Sequence, residues 1–353
     1  MTIIITNNGK EPKKIEESKF DDEDKLQQYI YDAPESIPLY EIDEDIRLLI
    51  LAREFGTSSG PIDAIGLDQD GEIYVIETKL YKNPDKRLVL AQVLDYGAAI
   101  AKDYRDFGNF IIELEKRIGS DLDTIKNRIR SFFGLTENES TVLLENLKNN
   151  IFSGNFRFVV LMDKLYDQLK NLILFINQNS QFSIYAVELK YYKYENLELT
   201  IPKLFGTEIK KSTIQSTGTR KKWNENMFFE YADSSLRKDQ LDSIRKLYDF
   251  SKEYAKISWG SGAITGSFNT IFENISPRSL YSAYSDGRVS LNFHWLHDDS
   301  QMEQYRDEFK NKMNAIAGLE IPSDYRDRFV YLDINDWYDK VDKIIDGIKS
   351  LIK

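Results

Sequence analysis

Pro61-Ile62-Asp63-Ala64-Ile65-Gly66-Leu67-Asp68-Gln69-Asp70-Gly71-Glu72-Ile73-Tyr74-Val75-Ile76-Glu77-Thr78-Lys79-Leu80 is the stretch on which the reading of this chain turns. Two apolar runs flank the turn signal Asp68-Gln69-Asp70-Gly71, so they read as the strands of an antiparallel hairpin. A three-residue loop Gln69-Asp70-Gly71 pairs Asp68 with Glu72. Counting back from there pairs Ala64 with Ile76 and Asp63 with Glu77. Opposed side chains share a face with Cβ atoms about 5 Å apart. Lys79, two residues past Glu77, projects from that same face. Away from the acids both faces are apolar, as expected of central strands covered on both sides.

Two carboxylates opposed in apolar surroundings repel and resist desolvation, and a divalent cation resolves the conflict. Hard oxygen ligands suit Mg²⁺, which keeps several waters. A lysine beside it can orient or deprotonate a water, or stabilise charge developing on a phosphate. A surface Lys–Glu ladder is the plain alternative, and the apolar flanks argue against it.

Pro61-Ile62-Asp63, thirteen residues, then Glu77-Thr78-Lys79 resembles the signature of the PD-(D/E)XK nuclease superfamily, with the proline displaced by one place. The following Gln92-Val93-Leu94-Asp95-Tyr96 is similar to the Q-x-x-x-Y element of its RecB-like branch. Gln92 and Tyr96, at i and i+4, can share one helix face. The resemblance covers about residues 20–205. It implies a restriction-endonuclease-like core with a central mixed sheet flanked by helices, and Mg²⁺-dependent DNA cleavage in which Mn²⁺ substitutes. Asp63 and Glu77 would be the metal ligands, Glu23 (or Asp22) the accessory acid, and Lys79 and Gln92 catalytic. Tyr96, Lys82 and Arg87 would face DNA.

Outward from the hairpin, Asp21–Tyr31 is helical in pattern, with Leu26, Tyr29 and Ile30 on one face and Pro34 as its stop. Residues 1–19 read as an arm or edge strand, 46–53 as a strand, 87–101 as an apolar helix and 104–150 as a helical insertion. Strands follow at 156–162 and 182–189, with a helix to about 176 between them, and a last strand at 197–201 is stopped by Pro202. Residues 203–222 then carry Lys203, Lys210, Lys211, Arg220, Lys221 and Lys222 against the single acid Glu208. They read as a basic linker able to track phosphates. Residues 223–353 form an α+β pattern. It has a long helix at 235–255, strands near Trp259, Ile264, Leu280 and 289–295, and helices at 302–315 and from 337. The division expected is a nuclease-like domain (1–202), a linker (203–222) and an accessory domain (223–353) that selects a substrate, a protein partner or a second copy.

The composition bounds the chemistry. With 353 residues, 41% hydrophobic and 30% charged, the chain is globular rather than disordered. The absence of cysteine excludes disulfides, thiolate nucleophiles and cysteine metal sites, and two histidines exclude a three-histidine centre. A net charge of −11 rules out a basic coat over the whole surface while leaving room for a local basic path to DNA. No apolar run reaches the length of a membrane span, and Met1-Thr2-Ile3-Ile4-Ile5-Thr6 is too short for a secretory signal, so a cytoplasmic protein without membrane contact is expected.

Other motifs lead elsewhere and are set aside. Gly56-Thr57-Ser58-Ser59-Gly60 matches a nucleophile elbow in letters, but strand-type sequence follows where a helix is required. His294 and His297, three apart in a strand reading, fall on opposite faces. The glycines after Trp259 lack the lysine and helix of a phosphate loop. Tyr191-Tyr192-Lys193-Tyr194 reads as buried rings in a strand before it reads as a base-stacking platform. A non-catalytic DNA-binding or protein-interaction module that keeps the nuclease fold is the rival of the enzyme reading. The full trio of Asp63, Glu77 and Lys79 favours the enzyme.

Overall fold

Alternating apolar residues over 62–67 and 73–79 form the two central strands of the first unit, and the elements that position the acids are built outward from them. The computed structural model describes residues 2–7, 10–42, 46–83, 88–180, 182–195, 197–207, 222–260, 262, 265–297, 300–316, 318–326 and 329–352. The chain divides into two compact units, 1–218 and 219–353.

The first unit opens with the antiparallel pair β1 (Ile3–Asn7) and β2 (Lys10–Ile15), then the short β3 (Glu17–Ser18). Helix α1 (Glu23–Asp32) is capped by Asp22, which accepts the Lys25 N–H at 2.9 Å. Strands β4 (Leu49–Phe55), β5 (Ile62–Leu67) and β6 (Ile73–Lys79) make an antiparallel meander. Helix α2 (Val89–Asp103) leads into α3 (Phe107–Ile118), α4 (Leu122–Phe133) and α5 (Glu137–Ser153). The chain then enters β7 (Phe156–Met162), parallel to β6. Helix α6 (Asp167–Asn179) crosses to β8 (Ser183–Tyr194), parallel to β7, and β9 (Leu197–Phe205) lies antiparallel along the edge of β8. The result is a seven-stranded mixed sheet flanked by helices, an α/β architecture.

Period-two alternation gives this sheet two cores. Ile65, Leu67, Ile73 and Val75 join the cluster that includes Val93, Ile100 and Phe110, while Ala64, Tyr74 and Ile76 join Leu26 and Ile30 of α1. The register of β5 and β6 is the one counted from the turn: Leu67 with Ile73, Ile65 with Val75 and Ala64 with Ile76. Gly71, at φ +79, supplies the left-handed residue of that turn. The parallel β6–β7 pairing, Tyr74 with Arg157, is reinforced by the ion pair between Arg157 and Glu72.

Helix α2 lies close to the sheet because position 97 has no side chain. A Cβ there would stand 2.6 Å from Cζ of Phe158, whose ring is held edge-on by Phe156 and Phe182. Gly97→Val is therefore expected to lower stability by about 1–3 kcal/mol through overpacking. The check is the urea midpoint, and an unchanged midpoint would show that α2 can shift freely.

Several local expectations are corrected. The last strand does not stop at Pro202 but continues to Phe205, with Pro202 paired to Leu189. The outer strand of a sheet tolerates a residue without an N–H. Strand β8 joins the run expected at 182–189 to the Tyr191–Tyr194 stretch also read as strand, in one element ending at Tyr194. Tyr191 and Tyr192 are buried within it, Tyr191 stacked on Phe20 with centroids 4.5 Å apart. The strand expected at 46–53 lies at Leu49–Phe55.

The second unit has α7 (Glu225–Ser235) and α8 (Lys238–Tyr254) where one helix was expected at 235–255. The hydroxyls of Ser234 and Ser235 bond back to the Tyr231 carbonyl, and Leu236 and Arg237 are extended. Strands β10 (Lys256–Trp259), β11 (Ser267–Ile271), β12 (Tyr281–Tyr284), β13 (Val289–Leu291) and β14 (Val330–Leu332) form an antiparallel sheet in chain order. The strand expected near Ile264 centres on a position outside the described residues. Helices α9 (Ser300–Asn314), α10 (Ile334–Trp337) and α11 (Val341–Ile352) complete an α+β unit around Phe268, Phe309 and Trp337. No helix of the described residues is long and apolar enough to cross a membrane.

Candidate active site

Beyond Ala64 and Ile76 the paired ladder of β5 and β6 ends, and a side chain takes over. Oδ2 of Asp63 accepts both the backbone N–H and the hydroxyl of Thr78, each at 2.7 Å. Asp63 is thereby fixed at the C-terminal end of β6, beside Glu77 and Lys79. In open α/β sheets the C-terminal ends of parallel strands are where ligand crevices form.

Glu77 is 1% exposed, and neither of its carboxylate oxygens has a hydrogen-bond partner. It forms an ion pair with Lys79, whose Nζ stands 3.5 Å from Oε1 of Glu77 and 3.5 Å from Oε2 of Glu23. Burial pushes the Glu77 carboxyl up to about 9, and the Asp63 charge adds to the rise. Asp63 is itself raised to about 6 by burial, against the opposing pull of the Thr78 hydrogen bonds and Lys79. At neutral pH the pair therefore holds one proton between two acids. Burial is the main cause at both carboxyls, and repulsion from Asp63 adds to it at Glu77.

Glu23, at the start of α1, reaches the same place. Its Oε1 accepts the Leu80 N–H at 3.0 Å and the Asn83 amide at 2.9 Å, while Oε2 faces Lys79. Of the two acids considered for the accessory position, Asp22 serves as the helix cap and Glu23 joins the site. Gln92 and Tyr96 share a face of α2, with Nε2 of Gln92 donating to the Tyr96 hydroxyl at 3.0 Å. Burial raises the Tyr96 phenol, and the charges of Glu77, Asp63 and Glu54 add to it, so this helix face looks onto the acids.

Lys82 is exposed and donates to the Asp21 carbonyl at 2.6 Å. Lys222 is exposed in the second unit. Arg87, Lys210, Lys211, Arg220 and Lys221 lie outside the described residues. His294 sits on a 3-10 turn, Phe293–Trp295, rather than a strand. Its Nδ1 and that of His297 both approach backbone carbonyls, of Arg326 and His294 respectively. Gly56–Gly60 is a tight connection between β4 and β5, Thr57 and Gly60 exchanging hydrogen bonds at 3.0 Å, and no helix follows it.

Sequence reading missed Glu54. The β4–β5 register pairs Arg53 with Ala64 and Phe55 with Ile62, which sets Glu54 opposite Asp63. Counting outward from the two-residue turn Ser58-Ser59, as was done from the other hairpin, gives the same opposition.

Whether a cation fits can be judged from the donors. Among the described residues no three Asp, Glu, His or Cys side chains converge tightly enough to hold an ion by themselves. Asp63 and Glu77 offer two hard carboxylates, one with both oxygens buried and without a hydrogen bond. One or two carboxylates with retained waters is the usual protein contribution to Mg²⁺. The pair fits such an ion and does not suit a soft or fully caged one. No family model matches the chain, nor does any curated protein or solved structure.

Proposed function

We propose that the first unit is a metal-dependent nuclease with a restriction-endonuclease-like core, hydrolysing phosphodiester bonds in DNA. The observation that carries the reading is Glu77: a buried carboxylate without a hydrogen-bond partner, set beside Asp63 and Lys79. Support comes also from the order of elements. An antiparallel meander carries the acids, and α2 and a parallel strand follow, with the trio at the end of β6.

In this reading Asp63 and Glu77 would hold Mg²⁺ or Mn²⁺. The ion, when bound, supplies Lewis acidity at the scissile phosphate and an activated water. Thr78 fixes the Asp63 carboxylate so that it need not reorganise on binding. Lys79, oriented between Glu23 and Glu77, presents an ammonium that can stabilise charge building on the phosphate oxygens. Gln92 and Tyr96 form a polar edge on α2 able to orient a water or a phosphate. The basic stretch at 203–222 would add phosphate contacts, and the second unit would select the substrate or partner.

The test is a cleavage assay on supercoiled plasmid and on single-stranded DNA, titrated with Mg²⁺ and Mn²⁺. Metal-dependent nicking or shortening is expected. DNA left intact at every metal concentration would count against the reading.

A further inference from the structure

Glu54 occupies a conformation that needs a reason. Its φ is +50, one of three non-glycine residues among those described in the left-handed region, where a side chain is costly. The backbone around it is held on both sides. Arg53 reaches Gln27 of α1 at 3.0 Å, whereas Phe55 packs against Tyr104 and Phe110 with centroids at 5.3 and 5.1 Å. Residues i and i+2 of a regular strand would share a face. The inverted φ at Glu54 sends Arg53 and Phe55 to opposite sides of the sheet instead. Gly56 is then tied at both backbone groups, its N–H to Glu113 at 3.2 Å and its carbonyl to the Tyr104 hydroxyl. These contacts over-determine one half-buried glutamate, and what stands across the strand from it is Asp63.

One nearby acid points to a ligand rather than to packing, and another is already engaged. Glu77, across the next strand, is buried with both oxygens lacking a hydrogen bond. Glu23, the acid expected to complete the site, already receives Leu80, Asn83 and Lys79. Resting on the metal-site reading above, we propose that Glu54 is a third acid of the site, a positioning residue that accepts hydrogen bonds from water kept by a cation on Asp63 and Glu77. An outer role matches the lack, among the described residues, of a three-acid cage, and Mg²⁺ and Mn²⁺ are ions that keep such water. The Glu54 charge reaches both Asp63 and Tyr96, in keeping with that position. In this scheme Glu23 orients Lys79, and Glu54 orients the ion's water.

The test uses the full chain and Mn²⁺ alone as probe. Calorimetric titrations and thermal melts in EDTA are run on wild type, Glu54→Gly, Glu54→Gln and Glu54→Asp. Glycine accepts the left-handed φ, so Glu54→Gly is expected to melt at or above wild type in EDTA. Glu54→Gly and Glu54→Gln are both expected to bind Mn²⁺ tenfold or more weakly, as outer partners of a metal do on mutation, and Glu54→Asp should recover most of the affinity. Wild-type Mn²⁺ affinity in Glu54→Gly and Glu54→Gln would overturn the proposal and leave the metal site standing. Lower melting in EDTA for both variants would make Glu54 structural and overturn it as well. No Mn²⁺ binding by wild type would remove the underlying metal-site reading too, so the two failures are told apart.

Discussion

Asp63→Asn and Glu77→Gln are each expected to reduce Mg²⁺-dependent cleavage by at least about 10³-fold, and Lys79→Ala by about 10²–10³-fold. The first two remove an oxygen that a cation could bind while keeping the shape, and the amide introduced at position 63 can still accept the N–H of Thr78 through its carbonyl. Folding should survive in both. Loss of rate would then report the lost ligand and not a lost core. Lys79→Ala removes a cation held between two carboxylates, so the rate should fall while the metal requirement stays. Initial rates of plasmid nicking on purified, folded variants measure all three. Wild-type rates in any one of them would contradict its assigned role.

A second large effect is expected in stability against pH, and its sign follows from the proton held by the acid pair. Glu77 has a folded pKa of about 9 against an ordinary value of 4.5, so the folded state binds a proton that the unfolded chain gives up. The stability this brings is fully present below about 4.5 and is lost as pH rises through about 9. Asp63 adds the same trend over a narrower window, between 3.8 and about 6. Between roughly pH 6 and 9 in EDTA, wild type should therefore lose about 1.4 kcal/mol per pH unit from Glu77 alone. That corresponds to roughly 3–6 °C in melting temperature per unit for a unit of this size. Glu77→Gln has no proton to lose and should show a flatter curve over the same range, overtaking wild type at high pH. Saturating Mg²⁺ should flatten the wild-type curve by mass action. A structural Lys79–Glu77 ladder predicts the opposite: parallel curves, with the variant less stable throughout.

The hairpin was legible because two independent signals coincide in it. Two apolar runs of strand length flank the turn, and Gly71 sets its geometry, so the pairing of Ala64 with Ile76 could be counted from the sequence. The same count puts Asp63 opposite Glu77, but the paired ladder ends at Ala64 and Ile76, and the Asp63 carboxylate bonds Thr78 there. The place of Glu54 across from Asp63 could be counted from the Ser58-Ser59 turn, but its conformation was not legible, because nothing in Arg53-Glu54-Phe55 announces a positive φ. That conformation is imposed by Tyr104, Phe110 and Glu113, which lie far along the chain. The same holds for Pro202, read as a stop because a central strand would exclude it, when β9 turned out to be the edge. His294 looked like a strand residue by its apolar neighbours, yet a 3-10 turn packs Phe293 and Trp295 inward just as well.

The central claim is that Asp63 and Glu77 form a cation site that a proton otherwise occupies. Calorimetric titration of wild type with Mg²⁺ near neutral pH, in two buffers of different ionisation enthalpy, tests it most directly. Metal must displace the proton held by Glu77, since a ligating carboxylate is ionised. The account predicts one ion bound with release of close to one proton, and little or no proton release in Glu77→Gln. Absence of Mg²⁺ binding, or binding with no proton exchanged in wild type, would contradict it.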